Sequence, residues 1–299
     1  MFFIANHPIY NHPLPEGHRF PMLKYELLPK QLLHEGTAEC TDFYSPDSID
    51  LSLVHAVHTV SYVKALTELN LDAKAVRSIG FPLSAALVER ELRIAQGTVV
   101  GCNHALENGI AFNIAGGTHH AFSDRGEAFC LLNDQAIEAQ YLIHQKKCHK
   151  ILIVDLDVHQ GNGTAEIFQN NADVITFSMH GQSNYPFRKE TSDYDIALPD
   201  KTDDTTYLSI LQETLPELLN IHRPDFVFYL AGVDILGTDK LGKLGCTLEG
   251  CKARDSYVLG LCKSLGIPVQ VSMGGGYSPA IKTIIEAHAN TYRVARALY

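Results

Sequence analysis

One pattern recurs four times and limits the fold more than any other feature. A short apolar run stops abruptly at polar or glycine-rich residues. Ile110–Ile114 leads into AGGTHH, Ile151–Val154 into DLDVHQGNG, Phe226–Leu230 into AGVD, and Val269–Val271 into SMGGGY. Runs this short, rich in Ile, Val and Phe and without alternation, are expected as strands buried on both faces, as in a parallel sheet. Between them lie stretches with helical spacing. Leu208, Leu211, Leu215, Leu218 and Leu219 form one apolar stripe; Tyr257, Leu261 and Leu265 form a second, closed by Gly266 and Pro268; Ile281, Ile284, Ile285 and His288 form a third. Strands alternating with helices predict an α/β fold, a mostly parallel sheet flanked by helices.

Composition narrows the function. A chain of 299 residues, 45% hydrophobic and 19% charged, is long enough for one large domain and needs no staple to hold its core. The seven cysteines fall at 40, 102, 130, 148, 246, 251 and 262 with no C-x-x-C pair, a pattern expected of reduced thiols in an intracellular compartment. The start, MFFIANHPIYNHP, has neither the basic nor the long apolar region of a secretory signal, and no apolar run approaches the ~20 residues of a membrane span, so a cytoplasmic protein is expected. The formal charge is −10, and no Lys/Arg cluster is longer than a pair, which argues against direct nucleic-acid binding. An acidic surface mildly favours cationic substrates.

In open parallel sheets, ligands bind beyond the carboxyl ends of strands. All four runs carry their unusual residues there. Asp157 and His159 stand two apart, so if strand geometry persists their side chains share a side. Asp234, past the next major strand, completes a three-ligand set that leaves room for water and a substrate oxygen, as catalytic zinc sites do. Oxygen-rich coordination admits Fe(II) and other divalent ions as well. A D-x-D-x-H string alone could be a polar strand end. The adjacent His119 and His120, after Gly116-Gly117, suit proton transfer by one imidazole with the other as electrostatic partner. Tyr277, after three glycines, could donate to a developing oxyanion.

Taken together, GGTHHA (116–121), DRGEAFCLLND (124–134), VDLDVHQGNGT (154–164), AGVDIL (231–236) with DKLG (239–242), and GGGY (274–277) closely resemble the arginase-like histone deacetylase family. GGTHHAFSDRGEAFC and AGVDILGTDKLGKL look most like class IV, the histone deacetylase 11 group, and HPLPEGHRFPMLKY (12–25) is similar to the front segment of bacterial and class IV members. The resemblance implies a three-layer arginase/deacetylase-like fold as a single catalytic domain over 1–299. It implies zinc on Asp157, His159 and Asp234, His120 as general base and acid, and His119 paired with Asp155 as electrostatic partner. Tyr277 would polarise the scissile carbonyl, and Phe129, Leu241 and Gly275 would line the acyl-lysine channel. Asp155, Ser178 and Met179 match a structural potassium site, and Phe168, Asn171, Val174 and Tyr194 a second monovalent-ion site. Two positions depart from the common pattern. Asn162 replaces the aspartate that orients the second histidine in class I, which should leave His120 less basic. Met273 takes the first place of what is often a four-glycine run.

The implied reaction is hydrolysis of an Nε-acyl-lysine amide in a peptide or protein, and class IV likeness implies that long acyl chains are accepted. Three other readings compete. A ureohydrolase would need a second carboxylate two residues after Asp234, where Leu236 stands. A deacetylase of small acylated amines such as acetylpolyamines would place glutamate at the position of Leu241. A catalytically silent acyl-lysine binder would not need every catalytic position filled.

Overall fold

The four apolar runs become the four central strands of one sheet. The computed structural model describes residues 2–299; Met1, where the expected domain begins, lies outside them. The strands are β1 (Ile4–Ala5), β2 (Phe43–Tyr44), β3 (Ile110–Asn113), β4 (Ile151–Asp155), β5 (Val174–Gly181), β6 (Tyr194–Leu198), β7 (Phe226–Leu230) and β8 (Val269–Ser272). Every pairing between them is parallel, in the order β2-β1-β3-β8-β7-β4-β5-β6. The central block β3-β8-β7-β4 is buried throughout, whereas the edge strand β6 alternates toward solvent. This is the reason the central runs show no alternation: both faces are covered.

The helices are α1 (Lys24–His34), α2 (Leu51–Val54), α3 (Val60–Thr67), α4 (Ala73–Ile79), α5 (Ala85–Asn108), α6 (Asp134–His144), α7 (Asn162–Phe168), α8 (Asp204–His222), α9 (Leu248–Leu265) and α10 (Ile281–Leu298). They supply the outer layers of the predicted three-layer α/β fold, with one apolar cluster on each side of the sheet. Their ends follow from local chemistry. Ser84, Thr247 and Asn133 cap α5, α9 and α6 by accepting a backbone N–H, and Gly109 and Gly266 close α5 and α9 in left-handed conformation.

The stripe of Tyr257, Leu261 and Leu265 is not the buried face of α9. On α9 the buried side chains are Cys251, Arg254, Asp255, Val258, Leu259 and Cys262, while Leu265 is 54% exposed and Tyr257 and Leu261 lie at the margin. A buried arginine–aspartate pair at the centre of the inner face hid it from a hydrophobicity pattern. All seven cysteines are free, and Cys40 alone is exposed. No helix among the described residues is long and apolar enough to cross a membrane.

Candidate active site

Because the strands are parallel, the loops after β3, β4, β7 and β8 open on one edge of the sheet, and the polar motifs meet there. β4 ends at Asp155, so Asp157 and His159 are not brought together by strand geometry as expected. The chain bends instead. Asp157 N donates to Asp155 Oδ1 at 3.1 Å, His159 N to Asp157 Oδ1 at 3.0 Å, and Val158 N to Asp234 Oδ1 at 3.0 Å. Aspartate side chains that accept backbone N–H groups two residues on compete with the sheet ladder and win at its end.

This folded loop sets one ligand atom each of Asp157, His159 and Asp234 within 4.8 Å of one another, all three residues buried. His159 Nδ1 lies 3.0 Å from Asp157 Oδ1 and 3.3 Å from Asp234 Oδ2. Asp234 Oδ2 is nonetheless a buried atom that accepts no hydrogen bond. Burial, and then the neighbouring Asp157, push the Asp234 carboxyl up to about 7. Two crowded carboxylates, one with an unsatisfied oxygen, beside an imidazole make a donor set that fits a divalent cation such as zinc. Gly275 belongs to this cradle: a β-carbon there would lie 2.0 Å from Asp234 Oδ2, and its N–H donates to Asp157 Oδ2 at 2.8 Å.

His119 and His120 are buried side by side, their ring centroids 4.1 Å apart. Each is held at Nδ1 by a different partner, Asp155 Oδ2 at 2.6 Å for His119 and Asn162 Oδ1 at 2.6 Å for His120. The partners separate their chemistry. Burial disfavours the charged form of both, but at His119 the carboxylate of Asp155 outweighs it and the pKa rises. At His120 burial, joined by repulsion from His119 and His159, takes the pKa well below its usual value, and neutral Asn162 offsets little. With Nδ1–H given to Asn162, His120 presents the lone pair of Nε2 to the cavity. The Tyr277 hydroxyl is pushed well above its ordinary value by burial and then by Asp157 and Asp234, so it stays a donor.

Two neighbouring cavities share His120, Ala128, Phe129, His159 and Tyr277 in their walls. The outer one, of about 310 Å³, has His120, His159, Phe129 and Tyr277 at its base and Leu241, Tyr185 and Phe187 around it. The inner one, of about 40 Å³, is bounded by Gly275, Gly117, Arg90 and Ile94 beneath the same four residues. Phe129 and Leu241 thus line the outer cavity, and Gly275 lines the inner one. Asp155 and Ser178 are in register on β4 and β5, with Met179 next to Ser178. Of the second ion set, Asn171 N donates to Phe168 O at 2.9 Å, Asn171 Oδ1 accepts from Val174 N at 3.2 Å, and the Tyr194 hydroxyl meets His222 Nε2 at 2.9 Å.

A profile for the histone deacetylase domain matches residues 18–292. The chain belongs to the histone deacetylase domain family. It is 45% identical over 298 residues to an uncharacterized protein of Picosynechococcus sp., covering all of this chain and 99% of that one. It is 28% identical over 279 residues to histone deacetylase 2 of Arabidopsis thaliana, covering 90% of this chain and 72% of the relative. Among solved structures, an HDAC homologue complexed with SAHA superposes with a TM-score of 0.86 at 22% identity, over 100% of this chain and 84% of that one, a likeness of fold. As a histone deacetylase-type domain, the chain is placed among hydrolases that act on amides.

Several further residues hold this deacetylase site together. Arg254, fully buried on α9, donates from Nη1 to Gly232 O at 2.6 Å and Leu156 O at 3.2 Å, pinning the loops that carry Asp234 and Asp157. Its charge is met by Asp255, which also accepts from the Tyr229 hydroxyl at 2.5 Å. Lys24, buried at the start of α1, donates to Gly274 O at 2.9 Å and fixes the glycine loop before Tyr277. Asp239 accepts from Leu241 N at 2.8 Å and Tyr277 N at 2.6 Å, tying the channel wall to the tyrosine. Asp239 stands within the DKLG string. Lys24 stands within HPLPEGHRFPMLKY, whereas Arg254 has no signal beyond being a charged residue in an otherwise ordinary helix.

Proposed function

We propose that this chain is a zinc-dependent Nε-acyl-lysine hydrolase of the class IV-like, bacterial type, a single catalytic domain over 1–299 acting in the cytoplasm on acylated lysine in a peptide or protein. The observation that carries the reading is the division of labour on one cavity: an Asp157–His159–Asp234 donor set, a neutral His120 with Nε2 open, and a protonated Tyr277 hydroxyl. Zinc held by Asp157, His159 and Asp234, or Fe(II) in its place, supplies Lewis-acid polarisation and lowers the pKa of water.

The chain's own residues do the rest. His120 Nε2 takes the proton of the attacking water and later delivers it to the leaving lysine amine. Asn162 keeps that ring in the tautomer required. His119, whose pKa the Asp155 carboxylate raises against the effect of burial, is biased toward its cationic form and so stabilises negative charge developing beside it. Tyr277 donates to the oxyanion of the tetrahedral intermediate, and Phe129 and Leu241 exclude water from the lysine stem. Potassium at Asp155, Ser178 and Met179, and a second monovalent ion near Phe168, Asn171, Val174 and Tyr194, would brace the loops behind the site.

The inner cavity bears on the acyl group. About 40 Å³ has room for roughly three water-sized groups, which suits acetyl and not a long chain. The short acyl group is therefore preferred here over the long chains expected of class IV likeness. The test is hydrolysis by the zinc-loaded protein of matched peptides carrying acetyl-, octanoyl- and myristoyl-lysine, with His120→Ala and Tyr277→Phe as controls. Acetyl turnover that vanishes in both variants supports the reading. Faster cleavage of myristoyl-lysine would restore the long-chain expectation. No cleavage of any peptide, despite bound metal, would refute lysine deacylation and leave small acylated amines or a silent binder.

A further inference from the structure

The outer cavity has a charge opposite to that of the protein around it. The chain carries a formal −10, yet among the described residues the cavity wall holds two cations, Arg19 and Lys243, and no carboxylate. Arg19 is exposed, lies with its guanidinium carbon 5.0 Å from the centroid of the Phe129 ring, and has no acidic partner among the described residues. Stacking on the channel phenylalanine holds the fork at the wall while its N–H groups remain available. Lys243 is exposed and donates to Ser183 O at 3.1 Å and Ser183 Oγ at 3.2 Å, which anchors an ammonium at the mouth without neutralising it. Three acids bonded to residues of the wall are engaged elsewhere: Glu127 accepts from the Tyr185 hydroxyl at 2.6 Å and Arg125 Nε at 3.0 Å, Asp239 accepts from Leu241 N at 2.8 Å and Tyr277 N at 2.6 Å, and Asp200 is bonded to the Ser183 hydroxyl; among the described residues none of them pairs with Arg19 or Lys243.

We infer that Arg19 and Lys243 form a carboxylate-selecting rim, so that the favoured substrate is an acyl-lysine with a carboxylate close to it. That group is either the α-carboxylate of a C-terminal acyl-lysine or the side chain of an adjacent aspartate or glutamate. The inference rests on the deacylase reading for the identity of the channel, and it reverses the weak preference for cationic substrates that net charge alone suggested. A local field at the mouth decides what approaches the site, because charges beyond about 10 Å are screened at ordinary salt. Exposed pairs are individually weak, so the two cations together are expected to favour a carboxylate by roughly threefold to tenfold, less at high salt.

The test measures binding and turnover separately. Fluorescein-labelled peptides of one sequence are titrated by anisotropy against the zinc-loaded protein at low and high salt. One ends in acetyl-lysine acid, one in acetyl-lysine amide, and one has aspartate after acetyl-lysine with an amidated end. The same peptides, unlabelled, are assayed for hydrolysis. The expected result is several-fold tighter binding of one or both carboxylate peptides than of the neutral amide, reduced by salt and abolished in the Arg19→Gln/Lys243→Gln double variant. Which carboxylate peptide binds tighter identifies the source. Equal binding of all three, or a preference that survives the double variant, overturns the inference whether or not any peptide is cleaved. Failure of all peptides to be hydrolysed while the binding preference stands overturns the deacylase reading alone.

Discussion

Asp134 is the residue whose loss should show most clearly that stability and chemistry depend on one loop. The loop that delivers His119 and His120 passes through Gly116 and Gly117, both at positive φ, and its backbone is tied down by one carboxylate. Asp134 Oδ1 accepts from Gly117 N at 2.9 Å, Thr118 N at 2.9 Å and Thr118 Oγ1 at 2.8 Å, and Oδ2 accepts from Thr98 Oγ1 at 3.0 Å. In Asp134→Ala the Thr118 hydroxyl keeps Leu132 O at 2.5 Å, but the two backbone N–H groups lose their acceptor. Each stranded donor costs about 1–3 kcal/mol, so the sum is about 3–4 kcal/mol once relief from burying the carboxylate is allowed for. Asp134→Asn keeps an amide oxygen for both N–H groups and can donate to the Thr98 and Ser272 hydroxyls, so about 1 kcal/mol is expected. Urea unfolding reads the stability, and kcat on an acetyl-lysine peptide reads the placement of the histidines. Alanine should lose both, and asparagine should retain most of each. Stability of the alanine variant within about 1 kcal/mol of the parent, or equal losses in the two variants, would refute the assignment.

Three further outcomes follow from the same contacts. His58 is buried and accepts from Asn133 N at 2.9 Å while its other nitrogen meets Phe122 O at 2.9 Å, and burial lowers its pKa from 6.5 to about 4. Its folded pKa lies below the unfolded one, so its contribution is intact above pH 6.5 and is lost as pH falls toward 4, by about 3 kcal/mol in all; His58→Gln should flatten the stability–pH curve in that window, and an unchanged slope would contradict the tautomer assigned. Arg254→Met leaves Asp255 buried without its cation and should cost about 3–5 kcal/mol by chemical denaturation, with weakened zinc affinity as a separate readout. Tyr277→Phe should lower kcat by ~10²–10³ with the melting temperature nearly unchanged, since it removes one oxyanion donor and no structural bond of the hydroxyl.

The central strands were legible because burial on both faces turns a parallel strand into an unbroken apolar run, and β3, β4, β7 and β8 emerged within a residue or two of their observed limits. The meeting of Asp157, His159, Asp234, His119, His120 and Tyr277 was legible because residues past the carboxyl ends of neighbouring parallel strands have nowhere else to converge. The local geometry was not. Asp155 ends the strand early, and the ligands are aimed by aspartate-to-backbone hydrogen bonds that spacing does not encode. The inner face of α9 was misread because Arg254 and Asp255 occupy its centre, and ion pairs of this kind are invisible to a hydrophobic period. The cationic rim escaped for a related reason: Arg19 and Lys243 are 224 positions apart, and net charge averages them away.

Metal-dependent turnover at the Asp157–His159–Asp234 set is the measurement that tests the central claim. Protein stripped with a chelator is assayed on acetyl-lysine peptide, then titrated with zinc while metal content and rate are followed together, alongside Asp234→Asn and His120→Ala. The expected result is no activity when stripped, activity restored in step with one zinc per chain, loss of both zinc and rate in Asp234→Asn, and loss of rate with zinc retained in His120→Ala. Full hydrolysis by the stripped protein, or zinc bound normally by Asp234→Asn, would contradict the assignment of this site.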